Sequence, residues 1–380
     1  MHAPPWLVPT AAYIHVPFCA HHCGYCDFAV AVGQDERIDA YLDALEIELA
    51  GLNEPQPMET LFFGGGTPTY LPHRALERLL KITLRWLPLR DGHEFSVEAN
   101  PSGLDAEKIA LLADFGVNRL SLGVQSFEPT LLRVLERDHE PDDVRRVLEF
   151  IRPRVGNVSI DLIFGVPGQT AGQWHNDLAR GLALEPNHIA SYGLTYEKGT
   201  RLWKQRERGD VLALDEDSEH TFYLRVMETL EGAGFEHYEI SNFARPGFRC
   251  RHNQVYWANH AYHGFGVGAA RYVQGVRELN TRDVRTYIQR LKSGRAPTFQ
   301  SERLEPRERA METIAVQLRR ADGVNREEFR TQTGFTLEEL VGPALRELEE
   351  QGLVRDHGTG ITLTRKGKCL ADAVVMKLMR

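Results

Sequence analysis

The sequence predicts an α/β protein: an incomplete (β/α)6 barrel with an open side, followed by a small winged-helix-like α+β domain at the C-terminus. Three observations carry this prediction. Short β-rich runs alternate with amphipathic helical segments through the first half of the chain, which is the pattern of parallel βαβ units. Six such units occur where eight close a full barrel, so one side stays open to a bulky ligand. From Glu302 the pattern changes to three helices and a hairpin.

The β-rich runs are Ala11–Pro17, Glu59–Phe63, Glu94–Glu98, Asn118–Gln125, Asn157–Phe164 and His188–Tyr196. Between the first two, Arg37–Leu52 places Leu42, Leu45, Leu49 and Leu52 at spacings of three and four, so that one helix face packs on a sheet. Comparable stripes lie in Arg74–Leu87, Ala106–Ala113, Pro141–Ile151 and Thr170–Leu184. In such sheets, active residues collect where strands end at their C-terminal edge. After Gly247 a loop-rich stretch, dense in His, Asn, aromatics and Gly, runs to about Arg277. The last segment reads as helices over Pro306–Arg320, Asn325–Thr331 and Leu337–Gly352, then a hairpin over Leu353–Thr364 turning on Gly358-Thr359-Gly360. This divides the chain into a barrel (1–245), a His and aromatic-rich connector (246–300) and a C-terminal module (301–380).

Composition narrows the function. The 380 residues carry a net charge of −8, with 42% hydrophobic and 26% charged residues, which suits a large core and disfavours disorder. A negative chain argues against sequence-independent binding to nucleic acid or anionic membranes. The module has 14 basic and 14 acidic residues, and its candidate recognition helix carries Glu338, Glu339, Glu347, Glu349 and Glu350, which would repel phosphate. The opening MHAPPWLVPT has neither the basic nor the apolar region of a signal peptide, and no run reaches the length of a spanning helix, so a cytosolic location is expected. Of five cysteines, three crowd together at Cys19, Cys23 and Cys26, which points to a metal or redox site in a reducing compartment.

Those three form a C-x3-C-x2-C loop just past the first strand, in Tyr13-Ile-His-Val-Pro-Phe-Cys19-Ala-His-His-Cys23-Gly-Tyr-Cys26-Asp-Phe28. Three thiolates so spaced can hold three corners of a [4Fe–4S] cube and leave one iron open. Zinc is the alternative, although His15, His21, His22 and Asp27 do not reproduce a finger spacing. The loop, with an aromatic before the third cysteine, resembles the radical S-adenosylmethionine (SAM) superfamily, whose open iron chelates the methionine amino and carboxylate groups. Supporting residues recur after successive strands. Gly64-Gly65-Gly66-Thr67-Pro68 bares its backbone to a small zwitterion. Glu98, Gln125, Arg137 and Asp161 can pair with an ammonium, a carboxylate and ribose hydroxyls.

Taken together, these segments resemble the branch that contains the oxygen-independent coproporphyrinogen III oxidases and the HemW-type heme chaperones. The resemblance implies that Cys19, Cys23 and Cys26 hold the cluster. It further implies that Tyr13, Gly65, Gly66, Thr67 and Glu98 contact its SAM, and that Tyr25, Gln125, Arg137 and Asp161 contact SAM or a second SAM site. The oxidases resemble C-x3-C-x2-C-x-C with a longer N-terminal arm, whereas here Phe28 stands at the fourth position and 18 residues precede Cys19. Both departures favour the chaperones. So does Arg251-His252-Asn253-Gln254-Val255-Tyr256-Trp257, similar to their H-N-x-x-Y-W element, in which His252 is the expected heme contact and His237, His260, His263 and Cys250 are rivals. Gly264-Phe-Gly-Val-Gly268-Ala-Ala270 also resembles the branch and is expected to pack backbone against the cofactor side.

The expectation is therefore a cytosolic heme chaperone that binds a [4Fe–4S] cluster, SAM and heme, with no assigned catalytic residue. Its partners are heme and apo-hemoprotein clients, including ones at membranes, but not nucleic acid, and a homodimer is left open. An oxidase that decarboxylates a porphyrinogen is the second expectation. A radical enzyme modifying RNA is the weakest.

Overall fold

The structure is a computed structural model that describes residues 4–379; residues 1–3 of the expected barrel segment and residue 380 of the module lie outside the described residues. One nine-stranded sheet organises it. Its strands in chain order are β1 (Ala11–Val16), β2 (Met58–Gly65), β3 (Leu89–Ala99), β4 (Arg119–Gln125), β5 (Asn157–Phe164), β6 (His188–Gly193), β7 (Glu236–Glu239), β8 (Asn242–Ala244) and β9 (His263–Gly266). In space they run β9-β1-β2-β3-β4-β5-β6-β8-β7. Pairs from β1 to β6 are all parallel, so the six expected units form the expected partial barrel. The sheet does not close, since β9 and β7 are its two edges.

Alternation along the strands separates a dry outer face from a polar lumen. Leu61, Phe63, Phe95, Val97, Leu120, Leu122, Ile160 and Leu162 pack under the surrounding helices in one core. Ile38–Ala50 contributes Leu42, Leu45 and Leu49 to it, as the spacing predicts. The residues between face inward: Thr60 and Phe62 on β2, Glu94, Ser96 and Glu98 on β3, Ser121 on β4, Ser159 and Asp161 on β5. Register places Phe62 beside Ser96, and Glu98 beside Ser121.

The stretch expected as a loop-rich connector is more ordered than its composition implies. Its strand β9 pairs in parallel with β1, so the sheet continues past residue 245. Arg251–Trp257 is a short helix packed against β2, plugging the lumen at the end away from the cysteine loop. The Glu94 carboxylate accepts its first backbone N–H groups, from Arg251 at 3.0 Å and His252 at 2.9 Å, which is why seven residues hold a helix at all. Gly264 lies in β9, where a Cβ would meet the Ala270 carbonyl at 1.8 Å. Packing of the chain on itself therefore explains this glycine, in place of the expected approach to a cofactor. Ala270–Val273, Val276–Asn280 and Thr298–Arg303 then make a three-stranded antiparallel sheet.

The C-terminal module has its own core, including Ile314, Phe329, Leu337, Leu345 and Ile361. Its helices Pro306–Gln317, Arg326–Thr333 and Leu337–Glu350 and its hairpin strands Val354–Asp356 and Gly360–Leu363 fall where the sequence places them. Two further helices, Arg365–Cys369 and Ala371–Leu378, complete it. The module docks on the plug: Gln317 and Gln332 donate to the Ala258 carbonyl at 3.0 and 3.2 Å, and Gln332 to that of Asn259 at 3.0 Å, capping the end of the plug helix.

Candidate functional site

The C-terminal ends of the barrel strands open into a cavity of about 820 Å³, lined by Cys19, Cys23, Cys26, Tyr25, Gly65, Gly66, Thr67, Glu98, Gln125, Arg137 and Asp161 among others. That volume lies in the upper part of the range of small-molecule sites. A two-residue parallel pairing of Phe18–Cys19 with Ala31–Val32 fixes the base of the cysteine loop above β1. All three thiols are free. The Thr67 hydroxyl lies 3.4 Å from the Cys19 sulfur, and Arg137 Nη1 lies 3.5 Å from that of Cys23. Burial pushes the Cys26 thiol up to about 11 and raises that of Cys19. A metal would reverse this, because a coordinated thiol is deprotonated.

Among the described residues, no three His, Cys, Asp or Glu groups converge as a single ion requires. Three thiols around one cavity, with a hydroxyl and a guanidinium turned to two of the sulfurs, fit a multi-iron cluster.

The glycine run follows β2 under tight steric demand. Gly65 has φ +107, and a Cβ there would lie 2.5 Å from the His15 ring; a Cβ on Gly66 would lie 2.7 Å from the Phe18 carbonyl oxygen. The Gly65 N–H donates to Glu98 Oε2 at 3.1 Å. Burial, with repulsion from Asp161, raises the Glu98 carboxyl to about 7. Asp161, half-buried on the cavity wall and accepting from the Ser121 hydroxyl at 2.9 Å, is raised by desolvation to about 6. Two carboxyls whose charge is suppressed by burial are poised to receive a cation. Gln125 ends β4 at a register shift, with φ +63, which turns its side chain to the cavity. Arg137 Nη2 donates to the Gly123 carbonyl at 2.7 Å, while its Nε is buried without a partner. Burial raises the Tyr25 phenol.

Two expected contacts lie elsewhere. Tyr13 is absent from the cavity wall: it stacks on Phe62, centroids 6.0 Å apart, one layer below the glycine run. His252, the expected heme contact, sits in the plug at 1% exposure, with the Thr60 hydroxyl 2.9 Å from Nδ1 and the Tyr256 hydroxyl 2.7 Å from Nε2. Both ring nitrogens are engaged in this structure and His252 is not on the cavity wall. Of the rivals, His237 bonds the Ile240 carbonyl and Lys368, His263 bonds Gln56, and Cys250 is buried beside Glu94, while the half-buried His260 is not on the cavity wall. Sequence reasoning also missed Lys108 and Tyr192 on the cavity wall. Tyr192 had a signal only in its place within the sixth β-run, near the end of the observed strand β6; Lys108, held by the Thr69 carbonyl at 2.7 Å, had none. Phe28, at 66% exposure, stands on the cavity rim, and His21 and His22 lie on the loop beside it.

A partial parallel barrel carrying a three-cysteine loop and a glycine run at its strand ends is the architecture of the radical SAM class, and residues 13–180 match the model of the radical SAM superfamily. Residues 304–370 match that of the HemN C-terminal domain. The chain is 38% identical to the heme chaperone HemW of Bacillus subtilis (strain 168), over 96% of this chain and 97% of that protein. It is 40% identical to the heme chaperone HemW of Synechocystis sp., over 84% of this chain and 80% of that protein. The solved coproporphyrinogen III oxidase (HemN) from Escherichia coli shares the fold, with TM-score 0.86 and 24% identity over 99% of this chain and 91% of that one. The chain belongs to the HemW heme chaperone family. Among the described residues no helix is long and apolar enough to cross a membrane.

Proposed function

We propose that this chain is a cytosolic heme chaperone that holds a [4Fe–4S] cluster, SAM and heme, and passes heme to apo-hemoproteins, docking transiently where clients are membrane-bound. The observation that carries the reading is similarity over nearly the whole chain to proteins named heme chaperones. Cys19, Cys23 and Cys26 would ligate three irons. The cluster's open iron supplies a chelation point for the SAM amino and carboxylate groups. Glu98 and Asp161 would take up positive charge and ribose hydroxyls, and the bare backbone at Gly65 and Gly66, with Thr67, would let the methionine end approach. Arg137, next to the Cys23 sulfur and with a free Nε, would face a carboxylate; Tyr25 and Gln125 would complete the wall.

Heme would enter above these groups. A planar macrocycle suits the exposed faces of Phe28 and Tyr192, and exposed His21 or His22 are the imidazoles placed to reach its iron. Phe28 stands where the oxidases carry their further cysteine, which favours cargo over a decarboxylation substrate. The test is anaerobic cluster reconstitution, then heme titration, transfer to an apo-hemoprotein, and a coproporphyrinogen III assay with SAM and reductant on the same sample. Stoichiometric heme binding with transfer and no decarboxylation is expected. Decarboxylation without heme transfer would overturn the reading in favour of the oxidase.

A further inference from the structure

The function above leaves the plug helix without a task, although its His-Asn-x-x-Tyr-Trp sequence is among the most distinctive in the chain. Its contacts lead from the bottom of the barrel to the glycine run. The His252 ring packs on Phe62, with centroids 5.2 Å apart and planes at 30°. Phe62 supports two groups above it. Its ring stacks on Tyr13, and its Cε1 lies 3.0 Å from the point a Cβ on Gly64 would occupy, a point 2.8 Å from Glu98 Oε2. The Tyr13 hydroxyl in turn lies 3.2 Å from His15 Nδ1, and the His15 ring fills the space beneath Gly65. The glycine run and Glu98 therefore rest on two rings, Phe62 and His15, and both are held from below.

His252 is itself fixed on three sides, by Thr60, by Tyr256 and by the Glu94 carboxylate on its backbone N–H. An imidazole with both nitrogens bonded and 1% exposure has nothing to offer an iron ion without leaving Thr60 or Tyr256 unpaired in the interior. It is well suited to hold its neighbours still, because close-packed interiors transmit displacements.

We propose that His252 is a positioning residue for the SAM site: it sets Phe62, and through Phe62 the Gly64–Gly66 backbone and Glu98, at the spacing the cofactor needs. It does not touch heme. This rests on the reading of the cavity as the SAM site.

The test is SAM titration of the full, anaerobically reconstituted chain, followed by equilibrium binding and by the change SAM makes in the electron paramagnetic resonance of the reduced cluster. The chains compared are wild type, His252→Ala, Phe62→Leu and the double variant. Each single change weakens SAM binding about tenfold, which corresponds to about 1.4 kcal/mol, with cluster loading unchanged; the double variant is no weaker than the worse single one. The heme Soret band stays as in wild type throughout. Wild-type SAM affinity in Phe62→Leu, additive losses in the double variant, or a Soret shift confined to His252→Ala would each overturn the proposal. Should His252→Ala not fold, Thr60→Val removes its Nδ1 partner at nearly constant volume and takes its place, and wild-type SAM affinity in both Thr60→Val and Phe62→Leu overturns the proposal equally. A wild-type chain that binds no SAM brings down the SAM reading together with this inference, whereas normal binding in every variant brings down the inference alone.

Discussion

Glu98 and Asp161 are held in the cavity with their charge suppressed, and the cost depends on pH. Both carboxyls bind a proton more tightly in the folded chain than in the unfolded one, rising from 4.5 to about 7 and from 3.8 to about 6. Stability from this source is therefore greatest below the unfolded values and is lost as pH climbs through 6 and 7. Glu98→Gln should stabilise the cofactor-free chain by about 1–3 kcal/mol at pH 8 and make no difference near pH 4, as read by thermal melting at the two pH values. Saturating SAM should shrink the gain, because its sulfonium brings positive charge near the carboxylates. The identities of such residues were legible in the sequence, since each follows a strand that the alternation reveals. Their depth was not. Tyr13 shares a segment with the cavity cysteines, yet it lies a layer below them, and His252 lies deeper still in the plug, because chain spacing says nothing about how far along the lumen a side chain sits.

The strands and the long helices could be located because burial of a periodic stripe leaves a periodic trace, as Leu42, Leu45 and Leu49 do. The plug helix leaves none. Its seven residues are too few for a stripe, and its N-terminus is held by Glu94, which lies 157 residues upstream of Arg251. Glu94→Gln keeps an acceptor oxygen but turns an amide N–H₂ towards backbone N–H donors. It should cost about 1–3 kcal/mol in urea unfolding and weaken SAM binding along with it, if the plug supports the cavity as proposed. An unchanged unfolding midpoint would mean that the helix is held elsewhere. The connector strand β9 was equally hidden: four residues, His263–Gly266, reading as a glycine loop until they lie beside β1.

At the scale of the molecule, a polar lumen open on one side is closed by an element that comes late in the chain. The contact between Thr60 and His252 spans 192 residues, and that between Gln332 and Ala258 ties the far end of the plug to the C-terminal module. A chain ending at residue 245 carries strands β1 to β6 but leaves Glu94, Thr60 and Phe62 without their contacts to the plug. It should fail to form a protease-resistant core, whereas a chain ending at residue 300, which retains the plug and β9, should form one; equal resistance of the two would contradict this. During synthesis the barrel is therefore in a waiting state for most of the time the ribosome takes to make it, since contacts of such long range form only when both ends exist. The cysteine loop is complete from the first few dozen residues, so the thiols emerge early and the plug beneath their cavity follows only at Arg251–Trp257. A cell that loads the cluster during synthesis would be loading an unfinished site, and the plug, by arriving late, separates the making of the chain from its readiness to accept a cofactor.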